Sequence, residues 1–175
     1  MRMHRMHRWG IVAAGAIVAG LAAACSAVGV GVSGGGVGVG VGVEAHPAPS
    51  PTVAEQQVLM DRINKHRLAI GCRALTWDGR LATVARKHSE DMARRHYFSH
   101  VDPDGRDPGA RLKAAGIGYR AAAENLAEGQ ADGRDVYDDW IESPDHKENL
   151  ENCDFTHLGI GISGRYWTLV LVKFS

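Results

Sequence analysis

The sequence predicts an α+β domain, and three observations carry that prediction. Two long stretches place apolar residues three and four apart, the period of a helix with one buried face. The C-terminal end instead alternates with period two, in THLGIGISG and YWTLVLVKFS joined by a short turn at Gly164–Arg165, which reads as a hairpin. Residues 53–175 suffice for one domain with a single core and are too few for two.

The first helix lies in TVAEQQVLMDRINKHRLAIGC. Thr52 caps it with Glu55 three residues on, a capping box. Val58, Leu59, Ile63 and Leu68 make its apolar stripe, and Gly71 ends it. Asn64 and Arg67 read as hydrogen bonds from helix to core. A second helix runs over Gly79–His96, with Leu81, Val84, Ala85, His88, Met92 and Ala93 at helical spacing. His88 falls on that stripe, either as a bonded core-edge histidine or as a neighbour of a site. Asp102, Pro103, Asp104 and Gly105 then form a turn. It has too few oxygen ligands, and no closing glutamate, for a calcium loop. Three short helices follow: Gly109–Ala115, residues 132–142 with Val136, Trp140 and Ile141 inward, and SPDHKENLEN from Ser143 with Pro144 in its first turn. Trp140 and Trp167 are expected in the core. No further strand is evident in the middle of the chain.

Upstream, Arg2, Arg5 and Arg8 precede the apolar run Ile11–Ala24, the pattern of a secretory signal over residues 1–24. AAAC resembles a lipobox, which would make Cys25 the lipidated N-terminus and a membrane anchor; cleavage at an Ala-x-Ala site or an uncleaved anchor are the alternatives. Residues 26–52 are rich in glycine, valine and, later, proline, which predicts a flexible tether. An exported product follows, either held on the outer face of the cell membrane or secreted. The other two cysteines, Cys72 and Cys153, are an even pair in such a protein, so a disulfide is expected. A formal net charge of +0 and a pI near 7.1, without a basic block after the signal, argue against nucleic acid as a partner.

ENCDFTHLGIGISG raises the question of a site. Alternation puts Leu158, Ile160 and Ile162 on one strand face and His157, Gly159 and Gly161 on the other. Two glycines on one face predict a close approach by something else. Three more polar residues stand in suggestive places: His100 in a turn after Tyr97 and Phe98, Glu124 within AAAENLAEG, and Glu142 ending the tryptophan helix. Two imidazoles and a carboxylate can ligate a divalent ion such as zinc, hold a water or polarise a carbonyl. The spacings contain nothing like H-E-x-x-H and no G-x-S-x-G elbow.

HSEDMARRHYFSHVDPDG, AAENLAEG, WIESPDH and FTHLGIGI, in this order, resemble the bacterial branch of the CAP superfamily, which takes in cysteine-rich secretory proteins, venom antigen 5 proteins and plant pathogenesis-related proteins. The resemblance covers residues 54–174. It implies a three-layer α-β-α sandwich with a central antiparallel sheet and a cleft lined by two histidines and two acids. Motif by motif, the first histidine falls on His100, the glutamate on Glu124 (with Ala123 where glycine is usual) and the second histidine on His157. The second acid of the eukaryotic branch falls on Ser143. Glu142 is one residue early, about 100° around a helix. The bacterial branch carries the serine of W-x-x-S-P-x-H there, so Ser143 and His146 are rim residues. Gly159 and Gly161 then read as room beside the cleft. The resemblance implies binding of a lipid, sterol-like or cell-wall ligand; a metal-dependent hydrolase using His100, Glu124 and His157, or a non-catalytic interaction module, are the alternatives.

Overall fold

The computed structural model describes residues 51–174. The signal segment, Cys25 and the tether up to residue 50 lie outside the described residues. In chain order the elements are α1 (Pro51–Ala69), β1 (Thr76–Trp77), α2 (Gly79–Arg95), α3 (Pro108–Ala114), β2 (Ala121–Glu128), α4 (Gly133–Glu142), α5 (Pro144–Glu151), β3 (His157–Ser163) and β4 (Tyr166–Lys173). The strands form one sheet in the order β1-β3-β4-β2. The β3–β4 hairpin and the β2–β4 pair are antiparallel, while the two-residue β1 runs parallel to β3, so the sheet is mixed.

Alternation along the strands divides the core in two. Leu158, Ile160, Trp167, Leu169 and Leu171 pack with Leu59, Ile63, Val136, Trp140 and Leu150 of α1, α4 and α5. Val170 and Val172, on the opposite face, pack with Leu81, Val84, Ala85 and Leu112 of α2 and α3. The result is the three-layer α-β-α sandwich. β2 is the strand that the sequence hid: three alanines and a Glu-Asn pair carry little strand propensity, yet all eight residues pair with β4.

The helix starts rest on short acidic caps. Asp78, Asp107 and Asp132 each accept hydrogen bonds from backbone N–H groups in the first turns of α2, α3 and α4. The capping box expected at Thr52 is not formed, because α1 already begins at Pro51, within the segment read as tether. Glu55 serves another helix instead: its carboxylate accepts from Gly133 N at 2.7 Å, at the start of α4. Leu68 is exposed and Arg67 takes the inward position. The buried Arg67 guanidinium donates to the carbonyls of Arg73, Leu150, Asn152 and Phe155. Beside it, Cys72 and Cys153 form the expected disulfide, closing a sequence separation of 81 residues.

The bare strand face has an occupant, and it is not a cleft. A Cβ on Gly159 would stand 2.1 Å from Ala82 N, and one on Gly161 2.0 Å from Arg86 N. Helix α2 therefore lies with its backbone directly on β3. The glycines let the α2 layer close down on the sheet rather than clear space for a ligand.

Candidate functional site

β2 is an edge strand, and its residue Glu124 faces the α2/α3 layer. Its side chain is 2% exposed, so its charge must be met by protein groups. Three converge on it. His100, in the turn after α2, meets Oε1 through Nδ1 at 2.9 Å. Arg111 of α3 donates from Nη2 to Oε2 at 2.7 Å. His88 of α2 places Nε2 at 3.8 Å from Oε1.

Each partner is held in turn. Arg111 Nη1 donates to the carbonyls of His100 and Arg106, both at 2.9 Å, so one guanidinium fixes the turn and its histidine. That turn is built on Asp102, whose Oδ1 accepts from Asp104 N and Arg106 N, with Gly105 at φ 81. His88 Nε2 donates to Ser99 O at 3.0 Å. Its Nδ1 lies 3.4 Å from the Tyr97 hydroxyl, which donates to Asp91 at 2.8 Å. Burial pushes the His88 imidazole below its ordinary value, against the opposing pull of the Glu124 charge. Burial, then the Asp91 hydrogen bond, push the Tyr97 phenol far up.

The chemical consequence concerns one atom. A carboxylate can only accept, so in neutral His100 the proton sits on Nδ1 and Nε2 keeps its lone pair. Nε2 has no protein partner among the described residues, and the side chain is 50% exposed. Phe98 and Val101, close to it in sequence, have 47% and 48% of their surface open, and Phe98 lies beside Tyr166 at 6.5 Å between ring centres. The turn that carries this acceptor thus also exposes two apolar side chains, Phe98 and Val101.

Across the β2 edge, Asn125 is buried and donates to His146 O at 3.1 Å while accepting from Asn149 at 2.8 Å. It ties β2 to α5. His146 is half-buried with its ring edge-on to Trp140. Burial first, and then the nearby His100, lower its titration.

The structure thus brings His100 and Glu124 together and sets His146 within electrostatic reach of His100. It does not bring His157 to them. His157 heads β3, with β4 between it and β2, and Glu124 faces Val170, which faces Gly159. Two strand spacings are already about 10 Å. The His157 ring packs instead on Phe174 at 4.6 Å, and its Nδ1 lies 2.9 Å from Thr156 Oγ1. Glu142 is exposed at the end of α4, and Ser143 is the N-cap position of α5 without a side-chain cap bond. The ligand set His100, Glu124 and His157 expected for a divalent metal such as zinc is therefore not assembled. Both Glu124 oxygens are engaged, and among the described residues no group of three or more His, Cys, Asp or Glu side chains is arranged to hold an ion. Arg111 is the site residue that sequence reasoning missed. Nothing in GARLKAAG distinguishes it from a solvated helix arginine.

A family model, CAP, the cysteine-rich secretory protein family, matches residues 60–170. The chain belongs to the CAP family. Two curated Bacillus subtilis proteins carry similar domains: the uncharacterized membrane protein YlbC, 38% identical over 122 residues, and the uncharacterized protein YkwD, 37% identical over 117. Those matches cover 70% and 66% of this CAP chain, which spans only 35% and 46% of the two relatives. Among solved structures, an extracellular protein of Bacillus anthracis containing an SCP domain superposes with TM-score 0.68 at 34% identity, over 70% of this chain and 41% of that one. An outer surface protein of Borrelia burgdorferi gives TM-score 0.67 over 71% of this chain and 96% of its own, at 22% identity, a likeness of fold alone.

Proposed function

We propose that this CAP protein is exported to the bacterial envelope and binds a small amphipathic ligand at His100. A lipid, a sterol-like molecule or a cell-wall component bearing a hydroxyl fits the description. The observation that carries the reading is the His100 Nδ1 contact with buried Glu124, which leaves Nε2 to face outward from a turn that also exposes Phe98 and Val101. A ligand hydroxyl would donate to Nε2 while its apolar part covers the two side chains, a pairing of orientation with burial that small-molecule sites use. The extracellular and outer-surface descriptions of similar proteins support export. A lipid anchor at Cys25 would hold the domain at the membrane, and a glycerol-lipid label lost in Cys25→Ser tests that part.

The binding test is calorimetric titration of the full chain with a neutral monoacylglycerol below its aggregation threshold. Saturable binding, weakened about tenfold or more in His100→Ala and less in Phe98→Ser, is the expected result. Absence of saturation in the unaltered chain would reject the reading.

The same dyad supports a second reading. A histidine whose Nδ1–H is oriented by a buried carboxylate can take a proton through Nε2 and activate a water. Turnover of a peptide or glycan library that disappears in His100→Ala would favour that chemistry; equal turnover in both proteins would dismiss it.

A further inference from the structure

The two ends of the Cys72–Cys153 disulfide differ in their access to solvent. Cys72 is 4% exposed, whereas Cys153 lies in an exposed run from Asn152 to Asp154. A thiolate opens a disulfide by attacking one of its sulfurs, so access decides which sulfur is attacked. Here the Cys153 end is the open one. Cys72 is then the leaving thiol, and an acceptor for its S–H is in place, since its Sγ lies 3.4 Å from Glu151 O.

The chain around the bond has its own non-covalent ties. Wholly buried Arg67 donates to Arg73 O beside Cys72, and to the Leu150, Asn152 and Phe155 carbonyls on either side of Cys153. Cys72 N donates to Arg67 O at 2.9 Å, and Leu75 exchanges two hydrogen bonds with the Asn64 side chain. Buried Phe155 and the bond from Thr156 N to Val172 O fix the Cys153 segment to the core and sheet. These ties keep the two cysteines, with Cα atoms 5.0 Å apart in the closed state, beside each other when the bond is open.

We propose that the pair is a redox couple reactive at Cys153, exchanging with a dithiol supplied by another protein or a small molecule. The incoming thiolate bonds to Cys153 Sγ as the S–S bond breaks, and Cys72 leaves with the electron pair and takes a proton. The partner's second thiol then displaces Cys153, so the partner ends as a disulfide and the domain as two thiols. A monothiol lacks that second step. Cys72, held beside the mixed disulfide at high effective concentration, expels the monothiol and restores the native bond. The domain thus passes between two folded states of different stability, independently of the ligand reading at His100.

The test treats the oxidised full chain, without denaturant, with glutathione or with dithiothreitol at equal thiol concentration. Acid-quenched samples are alkylated and mapped by mass, which reads Cys25 separately. Dithiothreitol should open the bond while glutathione leaves it closed, and near-ultraviolet circular dichroism should show the dithiol state folded. Oxidised glutathione should load Cys153 in Cys72→Ser about tenfold or more faster than it loads Cys72 in Cys153→Ser. Equal loading or faster loading of Cys72, stable opening by glutathione, unfolding on reduction, or a bond that dithiothreitol opens only in denaturant would overturn the proposal.

Discussion

Glu124 is the residue on which most of the site depends. It is buried, charged and shared by His100, His88 and Arg111, so its neutralisation strands a cation in a place that water does not reach. Glu124→Gln is expected to lose about 3–5 kcal/mol of stability, read as a lowered urea midpoint. A change within about 0.5 kcal/mol would mean that the network carries no structural weight. Buried His88 and half-buried His146 act in another window. Burial lowers the titration of His88 and His146 in the folded protein, whereas the unfolded chain protonates near the ordinary value of about 6.5. Between those values the unfolded state binds more protons, so stability is full above about pH 6.5 and falls as pH drops toward the lowered folded values. The paired aspartates, Asp78, Asp102 and Asp104 among them, are held below the carboxylate range and act only at lower pH. A melting temperature that declines as pH falls below about 6.5, and declines less in His88→Gln, is the expected profile.

At the scale of elements, the decisive fit is α2 against β3. The sequence announced a close approach through Gly159 and Gly161, and the approach is real, but its partner is a helix backbone and not a ligand. Alternation tells which residues share a face; it does not tell which layer covers that face. The same gap explains His157: it shares the face of Glu124 yet lies across β4 from it. Gly161→Ala would put a methyl carbon 2.0 Å from Arg86 N, where backbone cannot yield as a side chain could. Its expected cost is at or above the upper end of the roughly 1–3 kcal/mol typical of overpacking, measured by chemical unfolding. Tolerance of that alanine would contradict the packing described. The helices were legible because caps and spacing are local signals. β2 was not, since Ala121–Ala123 become strand residues only by pairing with Leu171–Lys173, far away in sequence.

The described domain is a three-layer sandwich whose first and last thirds are joined by one disulfide. Cys72 follows α1 and Cys153 follows α5, so the disulfide fastens two helices of one layer near the Arg67 hydrogen bonds. Cys72→Ser is expected to lower stability by about 2–4 kcal/mol, and reductant should lower the unaltered protein by a similar amount. Equal melting points with and without the bond would refute a stabilising role. The two cysteines left once Cys25 is set aside made the pairing legible, and the family motifs did so for His100 and Glu124. Arg111 could not be seen that way, because its role arises only when α3 is laid beside β2 and the turn at Asp102. The proposed ligand contact depends on which nitrogen of His100 carries the proton in that arrangement. Imidazole ¹⁵N NMR of the full chain, titrated with a neutral monoacylglycerol, reads it directly. The neutral imidazole of His100 should carry its proton on Nδ1, with an Nε2 resonance that moves saturably as ligand is added. A proton on Nε2, or an Nε2 signal indifferent to the ligand, would contradict it.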